Sequence, residues 1–288
     1  VLRNGKLVRT CPVKEMNRES LVHLMLGRSA QEMYQPSQKT RESPMLVVKD
    51  LQVPGLVTNF SLNVSSGQIV SIAGQIGSGA TQVLRSMAGL VHNATGSVQI
   101  CGNNVPLRSV TRAQASQIRF ISEDRAREGI FLRLNVLENL IATRLESMFV
   151  AWSVLRDIAT TLARMVGVDD SRLEARAGEL SGGNQQKLAF GRSMGRKQPG
   201  VFLMNEPTRG IDVGSRLDIY KIMRKLCDDG NLVVMTSSDL EEVLGISDVV
   251  ITMYRGAQVN CYTRGQVTMH NVLTDITHPQ MRERKEEL

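Results

Sequence analysis

The stretch that most restricts the fold is a glycine-rich segment, GQIGSGATQ, at residues 74–82. An apolar run, QIVSIA, leads into it, and TQVLRSMAGL, which has helical spacing, follows it. The order strand, glycine loop, helix is typical of a phosphate-binding loop with the pattern G-x-x-x-x-G-K-[ST]. Gly74 and Gly79 occupy the glycine positions and Thr81 the hydroxyl position, but Ala80 stands where lysine is expected. The sequence therefore predicts a phosphate loop without its cation.

Composition narrows the class of protein. The 288-residue chain is 42% hydrophobic, which can supply a core, and its formal net charge is +7. Its basic residues are dispersed, without a long Lys/Arg block, so we expect no nucleic-acid partner; phosphate ligands, an anionic membrane surface and plain surface charge stay open. Cys11, Cys101, Cys227 and Cys261 form no C-x-x-C pair, which suits a reducing cytoplasm. No apolar run approaches the roughly 20 residues that span a bilayer.

Strand and helix patterns alternate from Met45 onward. Short Val/Ile-rich segments predict the strands MLVVKD, FSLNV, QIVSIA, GSVQI, IRFIS, VFLMN, NLVVMTS and DVVITMY. Helical spacing predicts the helices TQVLRSMAGL, NVLENLIATRLE, SVLRDIATTLARMVG, NQQKLAFGRSMGR, GSRLDIYKIMRKLCDD and DLEEVLG. This alternation predicts an α/β fold with a largely parallel sheet. Between Glu123 and Glu179 the strand patterns stop, which indicates a helical insertion.

A weak internal similarity suggests how the chain is organised. LRNGKLV, from Leu2, and MYRGAQV, from Met253, share a turn followed by a strand pattern, and ESLVHLML and HNVLTDIT follow them at the same offset. We interpret the first segment as the end of a preceding domain of the same kind, with a chance match as the alternative. The predicted units are a preceding-domain tail (1–28), a polar linker (29–44), a main domain (45–265) with a helical subdomain (about 124–178), and a C-terminal tail (266–288).

A second motif, LSGGNQQK, begins at Leu180. Ser181 can cap a helix, because its oxygen accepts a backbone N–H from the first turn. Gly182 and Gly183 allow a ligand to approach the backbone, and the unpaired N–H groups of a helix start attract anions. An ordinary turn before a helix is the competing interpretation of this segment taken alone.

A third motif, VFLMNEPTRGID, reads as a buried strand that ends at Asn205 and Glu206. In phosphate-loop enzymes such a strand end directs an acidic residue toward Mg²⁺. Asn205 is neutral and a weak partner for a hard cation, whereas Glu206 could orient a water molecule. Further along, VVMTSSDLEEV repeats the strand-then-helix pattern.

In this order, GQIGSGATQ, SEDR, LSGGNQQK, MNEPTRGID and TSSDLEE resemble the ATP-binding cassette (ABC) family. LSGGNQQK and NEPTRGIDVG narrow the resemblance to the second cassette of bacterial sugar importers of the ribose, galactose, xylose and arabinose type. The resemblance covers roughly residues 45–262. It implies a P-loop NTPase-type cassette with a mixed sheet, a parallel core and a helical subdomain.

The resemblance also implies roles for individual residues. It places the phosphate loop, or Walker A motif, at Gly74, Gln75, Ile76, Gly77, Ser78, Gly79, Ala80, Thr81 and Gln82. It places the signature motif, which reaches the ATP of another cassette across a dimer, at Ser181, Gly182, Gly183 and Gln185. It further implies a catalytic base at Glu206, a sensor of Mg²⁺ and of the membrane partner at Glu123, a loop between the two sites at Asp212 and a switch position at Ser238. Thr81 and Glu123 would be weak Mg²⁺ ligands.

Four departures from the family pattern weaken this site. Ala80 replaces the lysine, Asn205 the Mg²⁺-directed aspartate and Ser238 the switch histidine, and residues 53–55 offer no aromatic ring for adenine. A unit charge pair at about 4 Å contributes about 4 kcal/mol at an effective dielectric near 20. That is a large part of the roughly 8 kcal/mol of a micromolar ligand. We therefore expect weak ATP binding and poor hydrolysis in this chain's own loop, beside an intact signature motif.

The implied cofactors are ATP and Mg²⁺, and the implied partners are other proteins. They are a first cassette on the same polypeptide or a second cassette in a head-to-tail dimer, a membrane permease contacted by the helical stretch, and indirectly a periplasmic sugar-binding protein. The implied location is the cytoplasmic face of the bacterial inner membrane. A soluble or regulatory cassette without a permease is the alternative.

Two further interpretations concern single residues. A dinucleotide-binding fingerprint, G-x-G-x-x-G, would begin at Gly77 and fails because its last position is Gln82. Arg125 and Arg127, in SEDRAREG, could contact phosphate or the permease, or could lie in a solvated turn.

Overall fold

The computed structural model describes residues 1–3, 6–16, 20, 24, 44–144, 151–194 and 198–279. At the N-terminus, strands β1 (Leu2–Arg3) and β2 (Lys6–Leu7) form a short antiparallel pair. Twelve of the 28 residues in the predicted preceding-domain tail, and residues 29–43 of the predicted linker, lie outside the described residues, so that division of the chain stays a prediction.

Ten strands of the described chain form one mixed sheet. They are β3 (Pro44–Val53), β4 (Val57–Ser65), β5 (Ile69–Gly74), β6 (Thr95–Ile100), β7 (Asn103–Val105), β8 (Ile118–Ile121), β9 (Val201–Asn205), β10 (Leu232–Thr236), β11 (Val249–Tyr254) and β12 (Ala257–Thr263). Their order is β7-β6-β3-β4-β12-β11-β5-β10-β9-β8. The block β11-β5-β10-β9-β8 is parallel, whereas β7, β6, β3 and β4 pair antiparallel. The predicted mixed sheet with a parallel core is confirmed.

Helices connect the strands, and most of them lie against the sheet. They are α1 (Ala80–Met87), α2 (Val110–Ala115), α3 (Val136–Ile141), α4 (Trp152–Val166), α5 (Gly182–Ser193), α6 (Val213–Asp228), α7 (Leu240–Ile246) and α8 (Met269–Thr277). The sequence patterns do not indicate β7 and α2, which are short. Residues 269–277 differ from the predicted C-terminal tail, because Val272 and Ile276 of α8 pack against Ala73 and Val250 of the sheet.

The central strands are buried on both faces. Strands β9 and β10 are buried at every position, as expected for parallel strands covered by helices on both sides. Val201 and Leu203 belong to the core that contains α1, whereas Phe202 and Met204 belong to the core of α5 and the helical subdomain. Alternation along β9 thus divides the interior into two layers, one under the phosphate loop and one under the signature motif.

The described part of residues 124–178 is helical, as the absence of strand patterns predicts. A π-helical turn at Arg125–Gly129, helices α3 and α4, and short 3-10 turns make up this region. Helix α5 packs closely against it, since a Cβ at Gly191 would lie 2.6 Å from Leu140 Cδ2. Among the helices that the structure describes, none combines the length and apolar character needed to cross a membrane.

Candidate functional site

Three parallel strands bring the first group of predicted residues together. Because β10 lies between β5 and β9, the carboxyl ends of all three meet at one edge of the sheet. Thr236, at the end of β10, pairs in register with Asn205 on one side and Ile72 on the other. Ligands of open α/β sheets bind outside these carboxyl ends. The edge therefore carries the phosphate loop after β5 and Glu206 after β9.

The backbone of the phosphate loop requires glycine at two positions, Gly74 and Gly79. Gly79 has a φ of 95°, and a Cβ there would lie 2.6 Å from the backbone oxygen of Leu56. A Cβ at Gly74 would lie 2.3 Å from Ser78 Oγ. Helix α1 starts directly after Gly79, and no side chain caps its first N–H groups. Unpaired N–H groups at a helix start bind phosphate well, so the loop fits the phosphates of a nucleotide.

The cation position of this loop carries an alanine that faces the core. Ala80 is 8% exposed and packs in the apolar cluster that contains Val83 and Leu84. The loop therefore presents backbone and no positive side chain at this position. Gln75–Ser78 line a cavity of about 360 Å³ together with Tyr254 and Arg255.

Thr81, at the start of α1, and Asn205, at the end of β9, are in contact. Thr81 Oγ1 donates to Asn205 Oδ1 at 3.1 Å. Thr236 Oγ1 donates to the same oxygen at 2.6 Å. Asn205 is 1% exposed. Both lone pairs of this amide oxygen are therefore used by protein hydroxyls.

Glu206, the predicted catalytic base, lies beside Ser238, the predicted switch position. Its backbone has a φ of 49°, which is unusual for a residue other than glycine and marks stored strain of the kind found at functional sites. Burial raises the pKa of Glu206 above its usual range, and the hydrogen bond from Ser238 Oγ, at 3.1 Å, works against that rise. Ser238 donates a hydrogen bond to the carboxylate, so a serine at this position still contacts Glu206.

A buried carboxyl group lies behind this base. Thr208 Oγ1 donates to Glu242 Oε1 at 2.7 Å, and Ser237 Oγ donates to its other oxygen. Glu242 is 1% exposed, and burial raises the pKa of its carboxyl group. Its negative charge in turn raises the pKa of Glu206. Glu242 thus joins the segment after β9 to the segment after β10.

The signature residues begin α5 and pack against the loop that contains Asp212. Ser181 Oγ accepts the N–H of Asn184 at 3.4 Å, a long capping contact. A Cβ at Gly183 would lie 2.2 Å from Ser215 Oγ. Asp212 accepts the Ser215 N–H at 2.9 Å and the Ser215 hydroxyl at 2.7 Å. These hydrogen bonds lower the pKa of Asp212, so it stays ionised.

Arg125 connects the signature helix to the segment after β9. Its guanidinium donates to Gln185 Oε1 at 3.4 Å and to the backbone oxygen of Arg209 at 3.1 Å. Gln185 also donates to the backbone oxygens of Ala177 and Leu180, at 3.3 and 3.2 Å. Arg125 therefore holds protein elements together, whereas the side chain of Arg127 is 88% exposed.

Glu123, the predicted sensor, forms an ion pair with Arg209 at 2.8 Å. The two side chains are 40% and 66% exposed, so solvent screens the pair and its contribution to stability is at most about 1 kcal/mol. Glu123 is thereby connected to the loop that leads from Glu206 to Asp212.

The residues at the expected Mg²⁺ position fit that ion poorly. Mg²⁺ in nucleotide sites is held by one or two carboxylates together with phosphates, and a carboxylate about 5 Å from the ion contributes about 7 kcal/mol at a dielectric near 20. Here Asn205 is neutral, and Thr81 offers one hydroxyl oxygen. In the described part of the chain, no three His, Cys, Asp or Glu side chains group as metal ligands.

Comparison with known proteins shows which family the chain belongs to. The sequence model of the ABC transporter family matches residues 57–209, more than half of the chain. The chain belongs to the ABC transporter family. The match runs from β4 through the phosphate loop and the signature motif to the segment after β9.

Other members of the ABC family resemble the chain over most of its length. The ribose import ATP-binding protein RbsA of Geobacillus kaustophilus is 35% identical over 260 residues, which are 89% of this chain and 52% of that protein. RbsA of Oceanobacillus iheyensis is 31% identical over 281 residues, 96% of this chain and 56% of that protein. A Rhizobium johnstonii protein assigned to ribose/galactose/methyl galactoside import is 33% identical and is covered to 54%. The chain spans about half the length of these curated relatives.

Solved structures show the same cassette fold. The ADP conformation of MJ1267, an ATP-binding cassette of an ABC transporter, superposes with a TM-score of 0.69 at 18% identity, covering 83% of this chain and 97% of that one. For cbiO1 from Clostridium perfringens the TM-score is 0.69 at 17% identity, covering 85% and 100%. At this identity the likeness concerns the fold alone.

Sequence reasoning did not find the contacts of Thr236, Arg209 and Glu242. A usable signal exists for Thr236, which lies near the end of the predicted strand NLVVMTS, as Asn205 ends the predicted strand VFLMN. Glu242 follows Asp239, whose carboxylate caps α7 by accepting two backbone N–H groups. Nothing in the local sequence marks Arg209 as the partner of Glu123.

Proposed function

We propose that the chain is a nucleotide-binding cassette of a bacterial sugar importer of the ribose/galactose class. Its own phosphate loop binds ATP weakly and hydrolyses it poorly, and its signature motif serves the ATP bound by a second cassette. The observation that carries this proposal is the contrast between two helix starts. Helix α1 begins at a neutral, buried Ala80, whereas α5 begins with an intact serine cap and two glycines.

The nucleotide site at this chain's own phosphate loop lacks the charges that phosphoryl transfer requires. Catalysis of that reaction depends on preorganised positive charge around the outer phosphates. Ala80 supplies no cation, the neutral Asn205 is a poor partner for Mg²⁺, and Ser238 replaces a histidine. Glu206 can still contact a water molecule. A general base alone does not give fast hydrolysis when no positive charge stabilises the γ-phosphate.

The N-terminus of α5, where the signature motif lies, is suited to bind an anion. Ser181, Gly182 and Gly183 place the start of α5 at the end of the segment that runs from Glu206 to Asp212. The dipole of α5 and its first N–H groups would face the outer phosphates of ATP held by a partner cassette in a head-to-tail dimer. The partner is a first cassette on the same polypeptide or a separate chain.

A permease would contact the helical subdomain. Phe131 is 49% exposed, and the Arg192 guanidinium lies 4.6 Å from its ring centroid. A cavity of about 190 Å³ beside it is lined by residues of β8, α5 and the turn Arg125–Gly129. Leu132 and Leu134 are also exposed, at 36% and 39%. A cluster of exposed apolar side chains favours a protein partner. The proposed location is the cytoplasmic face of the inner membrane, and sugar selection would lie with the permease and a periplasmic binding protein.

Two measurements test this function. The steady-state ATPase rate of the 288-residue chain should be no higher than that of its Glu206→Gln variant. Robust ATP turnover that Glu206→Gln abolishes would refute the proposal that this chain's phosphate loop hydrolyses ATP poorly. Copurification with the importer's permease should be lost in Phe131→Asp and kept in Leu273→Asp, a matched control on α8 where the leucine is 43% exposed. Equal copurification of both variants would remove the docking assignment.

A further inference from the structure

The position that would hold a divalent metal offers no available acceptor on Asn205. Its Oδ1 accepts hydroxyl protons from Thr81 at 3.1 Å and Thr236 at 2.6 Å. An amide oxygen has two lone pairs, and the remaining amide group is a donor. Neither a cation nor a metal-bound water finds an acceptor there. Thr81 keeps lone pairs, but a single neutral hydroxyl is a weak ligand for a cation that gives up water reluctantly.

The two carboxylates that the sequence assigns to this site, those of Glu206 and Glu123, have protein partners. Glu206 Oε2 accepts the Ser238 hydroxyl at 3.1 Å. Glu123 Oε2 is paired with the Arg209 guanidinium at 2.8 Å. Each of these carboxylates thus has one oxygen engaged by a protein donor, and Asn205, at the position where an acid is expected, carries no charge. The structure thus lacks the prearranged acid that Mg²⁺ sites in nucleotide-binding proteins use.

What remains is the backbone of the glycine loop and the start of α1. In phosphate loops the backbone N–H groups hold the α- and β-phosphates, whereas the lysine and the metal-bound hydroxyl reach the β- and γ-phosphates. The conformation of Gly74 and Gly79 preserves the first set. Ala80 and Asn205 remove the second. Contacts to a nucleotide therefore end at the β-phosphate.

We propose that this site binds nucleoside diphosphates and triphosphates equally well and without a divalent metal. The inference rests on the proposed function, which makes the loop a nucleotide site, and it specifies the ligand of that site. Because neither Ala80 nor Asn205 contacts the γ-phosphate, the occupancy of the site would be the same with ATP as with ADP and would not follow the hydrolytic cycle of the partner cassette.

Isothermal titration of the 288-residue chain with ATP and with ADP tests this directly. Each nucleotide is titrated in EDTA and in excess MgCl₂ at constant ionic strength. We expect the four dissociation constants to agree within about threefold, less than half of the 1.4 kcal/mol that a tenfold change represents. Binding of ATP that is more than about tenfold tighter with Mg²⁺, or more than about tenfold tighter than that of ADP, would overturn the inference.

Two variants restore the missing groups one at a time. Asn205→Asp should make ATP binding at least about tenfold tighter in Mg²⁺ than in EDTA, and Ala80→Lys should favour ATP over ADP by about tenfold. Asn103→Asp, the same charge change on edge strand β7, should alter neither ratio. If Asn205→Asp does not fold, the wild-type titrations alone decide. If the chain binds neither nucleotide in any of these conditions, the proposal that its phosphate loop is a nucleotide site is refuted, and this inference is refuted with it.

Discussion

Alanine at Gly183 and alanine at Gly182 are the same chemical change in adjacent residues, yet we expect opposite effects on stability. At Gly183 a Cβ would lie 2.2 Å from Ser215 Oγ and 2.5 Å from Ser215 Cβ. At Gly182 the nearest atom is the Nη2 of Arg125, at 2.9 Å. The Arg125 nitrogen is the end of a flexible side chain and can move, whereas the Ser215 Cβ is fixed to α6.

The magnitude follows from two opposing contributions. Forcing a methyl group into a packed contact costs about 1–3 kcal/mol, and replacing glycine by alanine in a helix returns about 0.5–1 kcal/mol. Gly183→Ala should therefore lower the free energy of unfolding by about 1–2 kcal/mol, since it also displaces the Ser215 hydroxyl from Asp212. Gly182→Ala should be neutral or stabilising by up to about 1 kcal/mol.

Urea unfolding of the variants measures these changes in the free energy of unfolding. The urea midpoints are compared between variants whose dependence of the free energy on urea concentration, the m-value, is the same. Ser215→Gly removes the atoms that collide with the new methyl group. In a double-mutant cycle, Gly183→Ala and Ser215→Gly should together cost at least about 1 kcal/mol less than the sum of the two single changes. If Gly183→Ala is as stable as Gly182→Ala, or if the two losses simply add, the close contact between α5 and α6 is refuted.

Three further changes probe the core and the site. Phe190→Ala should cost about 3–5 kcal/mol in urea unfolding, since the side chain of Phe190, on α5, is fully buried; a loss below about 1 kcal/mol would contradict that packing. Burial raises the pKa of Glu242 above its ordinary 4.5, so the protonated carboxyl favours the folded state at low pH. The folded state is therefore destabilised as the pH rises from 4.5 through the raised pKa, and Glu242→Gln should become more stable relative to wild type over that range. A stability difference that does not change with pH would contradict this. Gly79→Ala, with its Cβ 2.6 Å from the Leu56 carbonyl, should abolish nucleotide binding in a titration; retained affinity would show that the loop tolerates a side chain there.

Much of the fold follows from pattern alone. The strands β9 and β10 are apolar at nearly every position, and helices such as α4 carry a clear apolar face, so periodicity identifies them. Strand β7 and helix α2 are too short for a periodic signal. Helix α8 was missed as an element of the domain because its packing partners, Ala73 and Val250, are distant in sequence.

The site divides in the same way. The glycine loop and the signature motif are contiguous in sequence, so local reasoning finds them. The hydrogen bonds of Asn205 depend on the register between β9 and β10, and the pairing of Glu123 with Arg209 depends on a loop conformation. No local pattern encodes these contacts, so the two hydrogen bonds that Asn205 Oδ1 accepts could be seen only in three dimensions.

The most direct test of the asymmetry is the ATP turnover of this chain assembled with a cassette that has a complete phosphate loop. Gly182→Asp in this chain adds a negative charge at the start of α5, where the helix dipole tolerates it for folding but a phosphate would be repelled. We predict that Gly182→Asp reduces turnover by about 100-fold or more, whereas Glu206→Gln in this chain leaves it within about twofold. Turnover that survives Gly182→Asp and is lost in Glu206→Gln would contradict the account.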